Sequence, residues 1–480
     1  MTRVNELGRL EAQYAALEGR FRIEKGLPDV ADAVQFKHNR GKPVHRWFTF
    51  KEGFSADLLS CLDFVTDEVR DAEGVFVDPF AGCGTTLVAA DLQNSLKCRR
   101  LGVEINPFLA FVARTKASWR EFDPARVTVL AESILAKPLV PNIPASEWPA
   151  LSTFRRPEVL PAERASALVD ASRRIDRIEG PERDLLRLGL ASAVERVGFF
   201  RRDGRALRTL RSDAELAAKK TLNVAAALSS AWLAYADDLV TLRSAGIEPC
   251  GATEVIQGDA RTLTELLQPV GVEAGQVDAM VYSPPYFNHI DYTEVYKLEL
   301  WLLGFLRNRD EMLGLRKSTL RSHGSVGVEF PQFELPRELE VVTETITSMV
   351  TASATSWHSS FGRLLLAYLA DMHDVLESQH RALRAGGKIA CVIGNSAHGS
   401  GADRVPVAVD LLLVVLAEEI GFRVERVIVA RQLRRRDHLN RYLRESVLIL
   451  TKVNSQAARA PKRVLANRAS TSGEGPAALA

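Results

Sequence analysis

Three chemical groups able to hold a flat base follow one another in the segment SPPY. They are the hydroxyl of Ser283, the backbone carbonyl of Pro284 and the aromatic ring of Tyr286. Two acceptors can take the protons of an exocyclic amine while the ring stacks on the base. Pro284 and Pro285 also hold the backbone extended without donating to a strand ladder, so a turn that merely ends a strand is the alternative.

A glycine-containing loop, DPFAGCGTT at residues 78–86, separates an apolar strand pattern from a helical one. Gly82 and Gly84 lie in this turn, where glycine lets the backbone come close to a ligand at the carboxyl edge of a sheet. The loop has no lysine of the phosphate-binding type, and its spacing is not GxGxxG. The pattern therefore disfavours a nucleoside triphosphate or a dinucleotide as the ligand.

Two acidic residues are predicted at strand tips further along the chain. Glu104 ends an apolar pattern in GVEINP, and Asp259 follows another in GDA. A carboxylate at the first tip can accept hydrogen bonds from both hydroxyls of a ribose, and one at the second could accept from an adenine amino group. With the glycine loop, the tips predict a pocket for an adenosine that carries a small amino-acid-like tail. A solvated strand-end charge is the alternative for Glu104.

Short apolar segments separated by helical patterns predict a doubly wound α/β fold with a seven-stranded sheet. The last two segments are joined by about a dozen polar residues without a crossover helix, which favours an antiparallel hairpin at one edge of the sheet. The predicted strands are residues 74–78, 99–105, 254–257, 277–282, 387–393, 422–430 and 445–451.

The strand pattern is interrupted by long helical stretches, which indicate insertions into one split catalytic domain. The tail has no apolar period and is predicted to be disordered. The helical insertion is a possible target-recognition region. The predicted organisation is an N-terminal helical segment at 1–40, a catalytic domain at 41–119 and 251–452, a helical insertion at 120–250, a second insertion at 300–360 and a tail at 453–480.

The composition is that of an ordinary globular protein, with 46% hydrophobic residues among 480. Because Lys and Arg number 62 against 60 Asp and Glu, net charge gives no hint of a nucleic-acid partner. No apolar run approaches the ~20 residues that span a bilayer, so we expect a soluble, cytoplasmic protein without a membrane partner. The cysteines show no CxxC spacing, which predicts neither a disulfide framework nor a metal site; they are Cys61, Cys83, Cys98, Cys250 and Cys391.

The segments DPFAGCGTT, GVEINP and SPPYFNHIDYTEVY resemble the cofactor and catalytic motifs of the S-adenosylmethionine-dependent DNA amino-methyltransferases. WFTFKEGFSADLL, at residues 47–59, is similar to a further cofactor motif of that family. The resemblance covers about residues 47–115 and 254–296, with a weaker match of the final strands. It implies a Rossmann-like sheet with an antiparallel last strand, S-adenosylmethionine as cofactor and double-stranded DNA as substrate.

Carried onto this sequence, the resemblance implies two sets of site residues. The catalytic set is Ser283, Pro284, Pro285 and Tyr286. The cofactor-binding set is Phe54, Ser55, Asp78, Phe80, Gly82, Gly84, Thr85, Glu104, Ile105 and Asp259.

Serine at the start of SPPY favours N4 of cytosine over N6 of adenine as the methylated atom. N6-adenine methylation stays open, as do an RNA methyltransferase acting on guanine N2 and a non-catalytic scaffold of the same fold. Methylation at cytosine C5 is disfavoured because no cysteine nucleophile follows a proline in this loop. Restriction, defence and regulation are equally open as roles.

A basic cluster in the helical insertion, FFRRDGRALRTLR at 199–211, is a candidate DNA surface. Asp203 and Gly204 give a turn signal between two helical stretches. We expect Arg201, Arg202, Arg205 and Arg208 to flank an exposed loop there and to bind phosphates. The alternative is that the arginine stems cover their own helices. RQLRRRDHLNRYLR at 431–444 is a second basic cluster.

Overall fold

The structure of the protein is a computed structural model. Of the predicted tail, all but the first residue lies outside the described residues, as do Arg205 and Cys250. The structure describes residues 3–62, 69, 73–93, 97–202, 207–247, 251–324, 333–352, 360–399, 404–433 and 441–453.

The strands are built from the apolar segments that the sequence shows, with short additions. In the described part of the chain they are β1 (Ile23–Lys25), β2 (Val75–Asp78), β3 (Arg99–Glu104), β4 (Phe200–Arg202), β5 (Leu207–Thr209), β6 (Thr253–Gln257), β7 (Val277–Tyr282), β8 (Leu383–Gly394), β9 (Ser396–His398), β10 (Val405–Val407), β11 (Phe422–Gln432) and β12 (Arg444–Lys452).

Eight of these strands form one sheet in the order β1-β11-β12-β8-β7-β2-β3-β6. Strand β12 runs antiparallel to both of its neighbours, and the other pairings are parallel. This is the doubly wound, Rossmann-like methyltransferase sheet with an antiparallel last strand. All seven predicted strands are present, and the predicted antiparallel hairpin is β11–β12.

The expectation of seven strands, with the hairpin at the sheet edge, needs one correction. Strand β1 pairs in parallel with β11 through Ile23–Lys25 and forms the edge outside the hairpin. A three-residue strand is too short to show a period of two in the sequence. The N-terminal segment is therefore part of the sheet as well as helical.

Helices cover both faces of the sheet and make up most of the insertions. In the described part of the chain, no helix combines the length and apolarity needed to cross a membrane. The helices are α1 (Arg3–Glu18), α2 (Pro28–Ala33), α3 (Thr85–Leu92), α4 (Pro107–Ala117), α5 (Pro124–Leu135), α6 (Ala162–Ile175), α7 (Glu182–Val197), α8 (Asp213–Lys220), α9 (Val224–Ser244), α10 (Leu263–Leu267), α11 (Tyr292–Val295), α12 (Lys297–Leu302), α13 (Arg309–Ser318), α14 (Arg337–Ala352), α15 (Phe361–Ala382) and α16 (Val409–Ile420).

The helical insertion packs directly against the segment that precedes the glycine loop. The indole of Trp47 donates to the buried carboxylate of Asp238 at 2.9 Å, and the hydroxyl of Tyr235 donates to the Trp47 carbonyl. Trp47 and Tyr235 also belong to one hydrophobic cluster with residues of α4 and α7. The insertion therefore holds in place the chain that enters the predicted cofactor motif.

In the described part of the basic cluster, two short strands pair where the sequence predicted helical stretches, and the predicted turn residues Asp203 and Gly204 lie outside the described residues. Strands β4 and β5 pair antiparallel, with Arg201 opposite Arg208 and Arg202 opposite Leu207. Three-residue strands give too weak a pattern to be detected in the sequence. Because side chains alternate along a strand, Arg201 and Arg202 point to opposite faces of this hairpin.

Candidate functional site

One cleft lies at the carboxyl ends of four adjacent strands, β7, β2, β3 and β6. Because parallel strands end at the same edge, segments that are far apart in the sequence meet here. The cleft has a volume of about 990 Å³, counted with its open mouth. Of the predicted site residues, it is lined by Phe54, Asp78, Phe80, Gly82, Thr85, Glu104, Ile105, Asp259, Ser283 and Pro285.

The two glycines of the loop have different surroundings. Both have positive φ, +51° at Gly82 and +80° at Gly84, a backbone conformation that favours glycine. A Cβ on Gly82 would lie 3.3 Å from the ring of Phe50, at the cleft. A Cβ on Gly84 would lie 3.0 Å from the Cα of Ala113, so Gly84 allows α3 to begin close against α4. Gly84 is not among the cleft-lining residues.

Glu104 is held at the tip of β3 by the backbone on both sides of the cleft. Its carboxylate accepts from the backbone N–H of Gly82 and that of Asn106, both at 2.9 Å. Asn106 also caps α4, accepting from the N–H of Phe108 at 3.0 Å. Burial raises the pKa of Glu104 to about 7. An ionisable acceptor is thus fixed between the glycine loop and the next helix.

Asp78 is a second buried carboxyl group of the cleft. It accepts hydrogen bonds from the hydroxyl of Thr86 and from the N–H of Phe80, the latter at 2.9 Å. Burial raises the pKa of Asp78 to about 7, and the charge of Glu104 adds to the shift. Two carboxyl groups that titrate near neutrality therefore face one small space.

Asp259 lines the cleft, but its carboxylate already has a cationic partner. Arg261 donates to it through Nε and Nη2, the latter at 2.6 Å, and also pairs with Asp371 at 2.8 Å. Arg261 therefore orients Asp259, and an adenine amino group would share the carboxylate with it.

Phe54 and Ser55 differ in their exposure to the cleft. Phe54 lines it, and its carbonyl accepts from the amide of Asn39 at 2.9 Å. Ser55 is fully buried and does not line the cleft. Its hydroxyl accepts from the N–H of Asp57 at 3.3 Å at the start of a short 3₁₀ helix. In this structure Ser55 shapes the loop that presents Phe54.

The four residues of SPPY directly follow β7; Ser283 and Pro285 line the cleft, whereas Pro284 and Tyr286 do not. The oxygen of Ser283 is 3.1 Å from the carbonyl oxygen of Val392 and 3.2 Å from the hydroxyl of Tyr286. The carbonyl of Pro285 accepts from Tyr368 at 3.1 Å. Among the described residues, no hydrogen bond is made to the carbonyl of Pro284. Acceptor capacity is therefore available at both Ser283 and Pro284.

A second cavity, about 1180 Å³ with its opening, adjoins the first on the Tyr286 side. Glu52, Gly53 and Tyr292 line both cavities, so they form the boundary between them. The ring of Tyr286 lines the second cavity and packs against β8, since a Cβ on Gly394 would lie 2.5 Å from the ring.

Several cleft residues were missed in the sequence. Phe50 and Glu52 lie within WFTFKEGFSADLL, so their closeness to Phe54 was an available signal. Tyr292 likewise belongs to the segment that follows SPPY. Four others come from the second insertion, where no residue pattern marks them: Thr319, Leu320, Ser322 and His323.

The structure contradicts one part of the predicted DNA surface. Arg202 is buried and ion-paired with Glu299 and, at 2.8 Å, with Glu195, so it does not flank an exposed loop. The hairpin alternation turns it inward. Arg201 is exposed and pairs with Glu215 at 3.2 Å, and Arg208 is exposed on the opposite strand.

Comparison with known proteins gives relatives along most of the chain, although no family model matches it. The chain is 27% identical over 440 residues to the type II methyltransferase M.AvaI of Nostoc sp. (strain PCC 7120 / SAG 25.82 / UTEX 2576), covering 86% of each protein. It is 24% identical over 468 residues to the type II methyltransferase M.BsoBI of Geobacillus stearothermophilus, covering 88% of each.

Among solved structures, the rRNA methyltransferase aviRa from Streptomyces viridochromogenes aligns with 85% of this chain and 84% of its own, at 9% identity and a TM-score of 0.26. The sequence relatives agree with the methyltransferase resemblance of the strand-tip motifs. The methyltransferase resemblance that the motifs indicated is thus confirmed over most of the chain: its relatives are type II methyltransferases.

Proposed function

We propose that this protein transfers the methyl group of S-adenosylmethionine to the exocyclic amine of a base flipped out of double-stranded DNA. The observation that carries the proposal is a single cleft with the glycine loop and Glu104 at one end and Ser283 at the other. A cofactor and an amine acceptor would therefore face the same space. The type II methyltransferases that resemble this chain support the same activity.

The cleft residues fit the parts of S-adenosylmethionine. Gly82 leaves the backbone uncovered, and the carboxylate of Glu104 lies beside it for the ribose hydroxyls. Asp259 borders the cleft and can accept from the adenine amino group. When bound, the cofactor supplies an electrophilic methyl group on its sulfonium.

The chain's own groups would prepare the amine for attack. The lone pair of an aromatic amine is delocalised into the ring, which makes the nitrogen a poor nucleophile. Acceptors at Ser283 and Pro284 draw its protons out of the ring plane and localise that pair. Flipping the base costs about a few kcal/mol, which stacking on Tyr286 and pocket hydrogen bonds offset.

Cations around the second cavity support DNA as the partner. The cavity is lined by Lys37, Arg40, Lys51, Arg202 and Arg431, next to Tyr286. Arg202 is buried in its ion pairs with Glu195 and Glu299, so the other cations are the candidates for phosphate contact. Arg40 is exposed and makes no ion pair with a described residue, and the exposed Lys37 pairs only with the exposed Asp32, at 3.2 Å. Phosphates beside a flipped nucleotide would lie within reach of this rim.

N4 of cytosine is the favoured target because serine occupies the first position of SPPY. Duplex DNA incubated with the protein and S-adenosylmethionine should yield N4-methylcytosine, detected by mass spectrometry of the nucleosides. N6-methyladenine alone would contradict the choice of base and leave DNA methylation standing. Transfer to RNA with none to DNA would contradict the proposed substrate.

Variants of the far end of the cleft test the assignment of the amine site. Ser283→Ala and Tyr286→Ala should lose methyl transfer and keep affinity for S-adenosylmethionine, because both residues lie away from the glycine loop. Ser244→Ala, an exposed serine of the helical insertion, is the matched control. Full turnover by Tyr286→Ala would make SPPY only a structural turn.

A further inference from the structure

A continuous chain of hydrogen bonds leads from the amine site to a buried carboxylate on β12. The oxygen of Ser283 lies 3.2 Å from the hydroxyl of Tyr286, which donates to the Oε1 atom of Glu445 at 2.9 Å. Glu445 comes from a strand that the motifs do not include. Its side chain is only 7% exposed, and its other oxygen accepts from Arg431 at 2.5 Å.

The sheet register brings Glu445 and Tyr286 together. Glu445 of β12 pairs with Gly394 of β8, and the ring of Tyr286 packs on the same glycine. A Cβ at Gly394 would lie 2.5 Å from this ring, so any side chain there would push the tyrosine away from the carboxylate. Gly394 therefore permits a contact that joins the SPPY loop to the last strand.

The proposed reaction creates a surplus proton that must leave the amine nitrogen. Attack of the amine on the methyl group forms a nitrogen–carbon bond, breaks the carbon–sulfur bond, and leaves the nitrogen with a positive charge and a surplus proton. The oxygen of Ser283, one of the acceptors of the amine protons, is the first atom placed to receive that proton. A single hydroxyl cannot keep a second proton, so the charge must move on.

We infer that Glu445 receives the proton released by methyl transfer, through Tyr286 and Ser283. The inference rests on the proposed function. The amine proton passes to the oxygen of Ser283, the hydroxyl proton of Ser283 passes to Tyr286, and the proton of Tyr286 passes to Glu445, which becomes a neutral acid. The proton then leaves through the second cavity, which Glu445 lines.

The surroundings of the tyrosine suit a relay in which it never ionises. Burial, with the charge of Glu445, raises the pKa of the Tyr286 phenol well above its ordinary value. Tyr286 therefore gives up its own proton only as it gains the one from Ser283. Arg431 balances the negative charge of Glu445 before the reaction. Once Glu445 is neutral, the positive charge of Arg431 faces the second cavity, which Arg431 also lines.

Two conservative variants test this relay. Tyr286→Phe keeps the stacking ring and removes the hydroxyl, and Glu445→Gln keeps the size of the side chain and removes the acceptor. Each should lower kcat on duplex DNA by about a hundredfold, the lower end for proton transfer by a positioned group. The KM for DNA and the affinity for S-adenosylmethionine should stay within about twofold, because neither variant removes the ring or the glycine loop.

Chemical rescue separates proton transfer from a structural role of Glu445. Glu445→Ala leaves a gap that opens to the second cavity, which formate or acetate can enter. The restored kcat should rise with the basicity of the added carboxylate, as expected for proton acceptors. Rescue that is the same for both anions would show that the gap is merely filled, and would overturn the relay.

The outcomes also separate the relay from the proposed function. Full kcat in Tyr286→Phe and Glu445→Gln, with a wild-type protein that methylates DNA, overturns the relay alone. A wild-type protein that transfers no methyl group to DNA overturns both. If Glu445→Gln does not fold, Tyr286→Phe still decides, because the phenylalanine ring can pack on Gly394 as the tyrosine does.

Discussion

Two carboxyl groups of the cleft, Asp78 and Glu104, have pKa values raised to about 7 because they are buried. A carboxyl group accepts hydrogen bonds through both of its oxygens only when it is ionised, and burial makes ionisation of each group less favourable. A ligand that donates to the ionised form lowers the pKa of that group in the complex. Under the proposed function, binding of a ribose to Glu104 would therefore be coupled to the release of a proton.

Affinity for S-adenosylmethionine should fall as the pH drops below about 7, where Glu104 becomes protonated, and should level off above it. Glu104→Ala should weaken binding strongly, and Glu104→Gln should reduce the pH dependence to the part due to Asp78. Calorimetric titration across this pH range measures both effects. Glu254→Gln, a partly exposed glutamate of β6, is the control; unchanged affinity in Glu104→Ala would remove the ribose role.

Strand β12 is fixed to the neighbouring helices by a buried ion pair. The guanidinium of Arg444 donates to Asp410 at 2.7 Å and to Glu18 at 2.5 Å, and both Arg444 and Asp410 are essentially unexposed. Asp410 begins α16 and also accepts from Asn395 and Ser446, at 2.7 and 2.8 Å. The pair therefore ties the strand that carries Glu445 to a helix behind the sheet and to α1.

Asp410→Ala should destabilise the protein by about 3 to 5 kcal/mol, because it leaves the arginine charge buried without its main partner. Chemical denaturation, with the midpoint and slope compared between variants, measures the change. Asp374→Ala, at an exposed position of α15, should change stability by less than about 0.5 kcal/mol. Similar midpoints for the two variants would contradict the role assigned to the pair.

Under the proposed function, the surface that would face DNA is formed by the cleft, the helical insertion and the N-terminal segment. Arg202 of the insertion lines the second cavity but is buried in an ion pair with Glu299, whereas the N-terminal 3₁₀ turn at Phe36–Gly41 places the exposed Lys37 and Arg40 there. DNA affinity is therefore expected to depend on the start of the chain more than on the basic hairpin.

The double variant Lys37→Ala/Arg40→Ala should weaken binding of a short fluorescent duplex and flatten the slope of log affinity against log salt by about 1.8, with about 0.9 for each phosphate contact. Affinity for S-adenosylmethionine should not change. The control, Arg381→Ala/Arg423→Ala, removes two exposed charges at the opposite edge of the sheet. An unchanged slope in the first variant, or an equal loss in the control, would exclude this rim as the DNA surface.

Local patterns were sufficient for the sheet and the cofactor motifs, because both are carried by contiguous residues. The run GVFVD followed by a glycine loop predicts β2 and its turn, and a polar connection without a helix predicts the antiparallel β11–β12 hairpin. Strand β1 and the β4–β5 hairpin were not predicted, because a strand of three residues is too short to show an alternation of apolar and polar residues.

The sequence by itself determined which residues end the central strands, because strand ends follow from local apolar patterns. It therefore identified Gly82, Glu104 and Ser283 as candidates for one site. Only the tertiary structure decided which distant residues join them. Glu445 reaches Tyr286 through the pairing of β12 with β8, and His323 reaches the cleft from the second insertion. Such contacts depend on register and packing across long sequence separations, which no local residue pattern records.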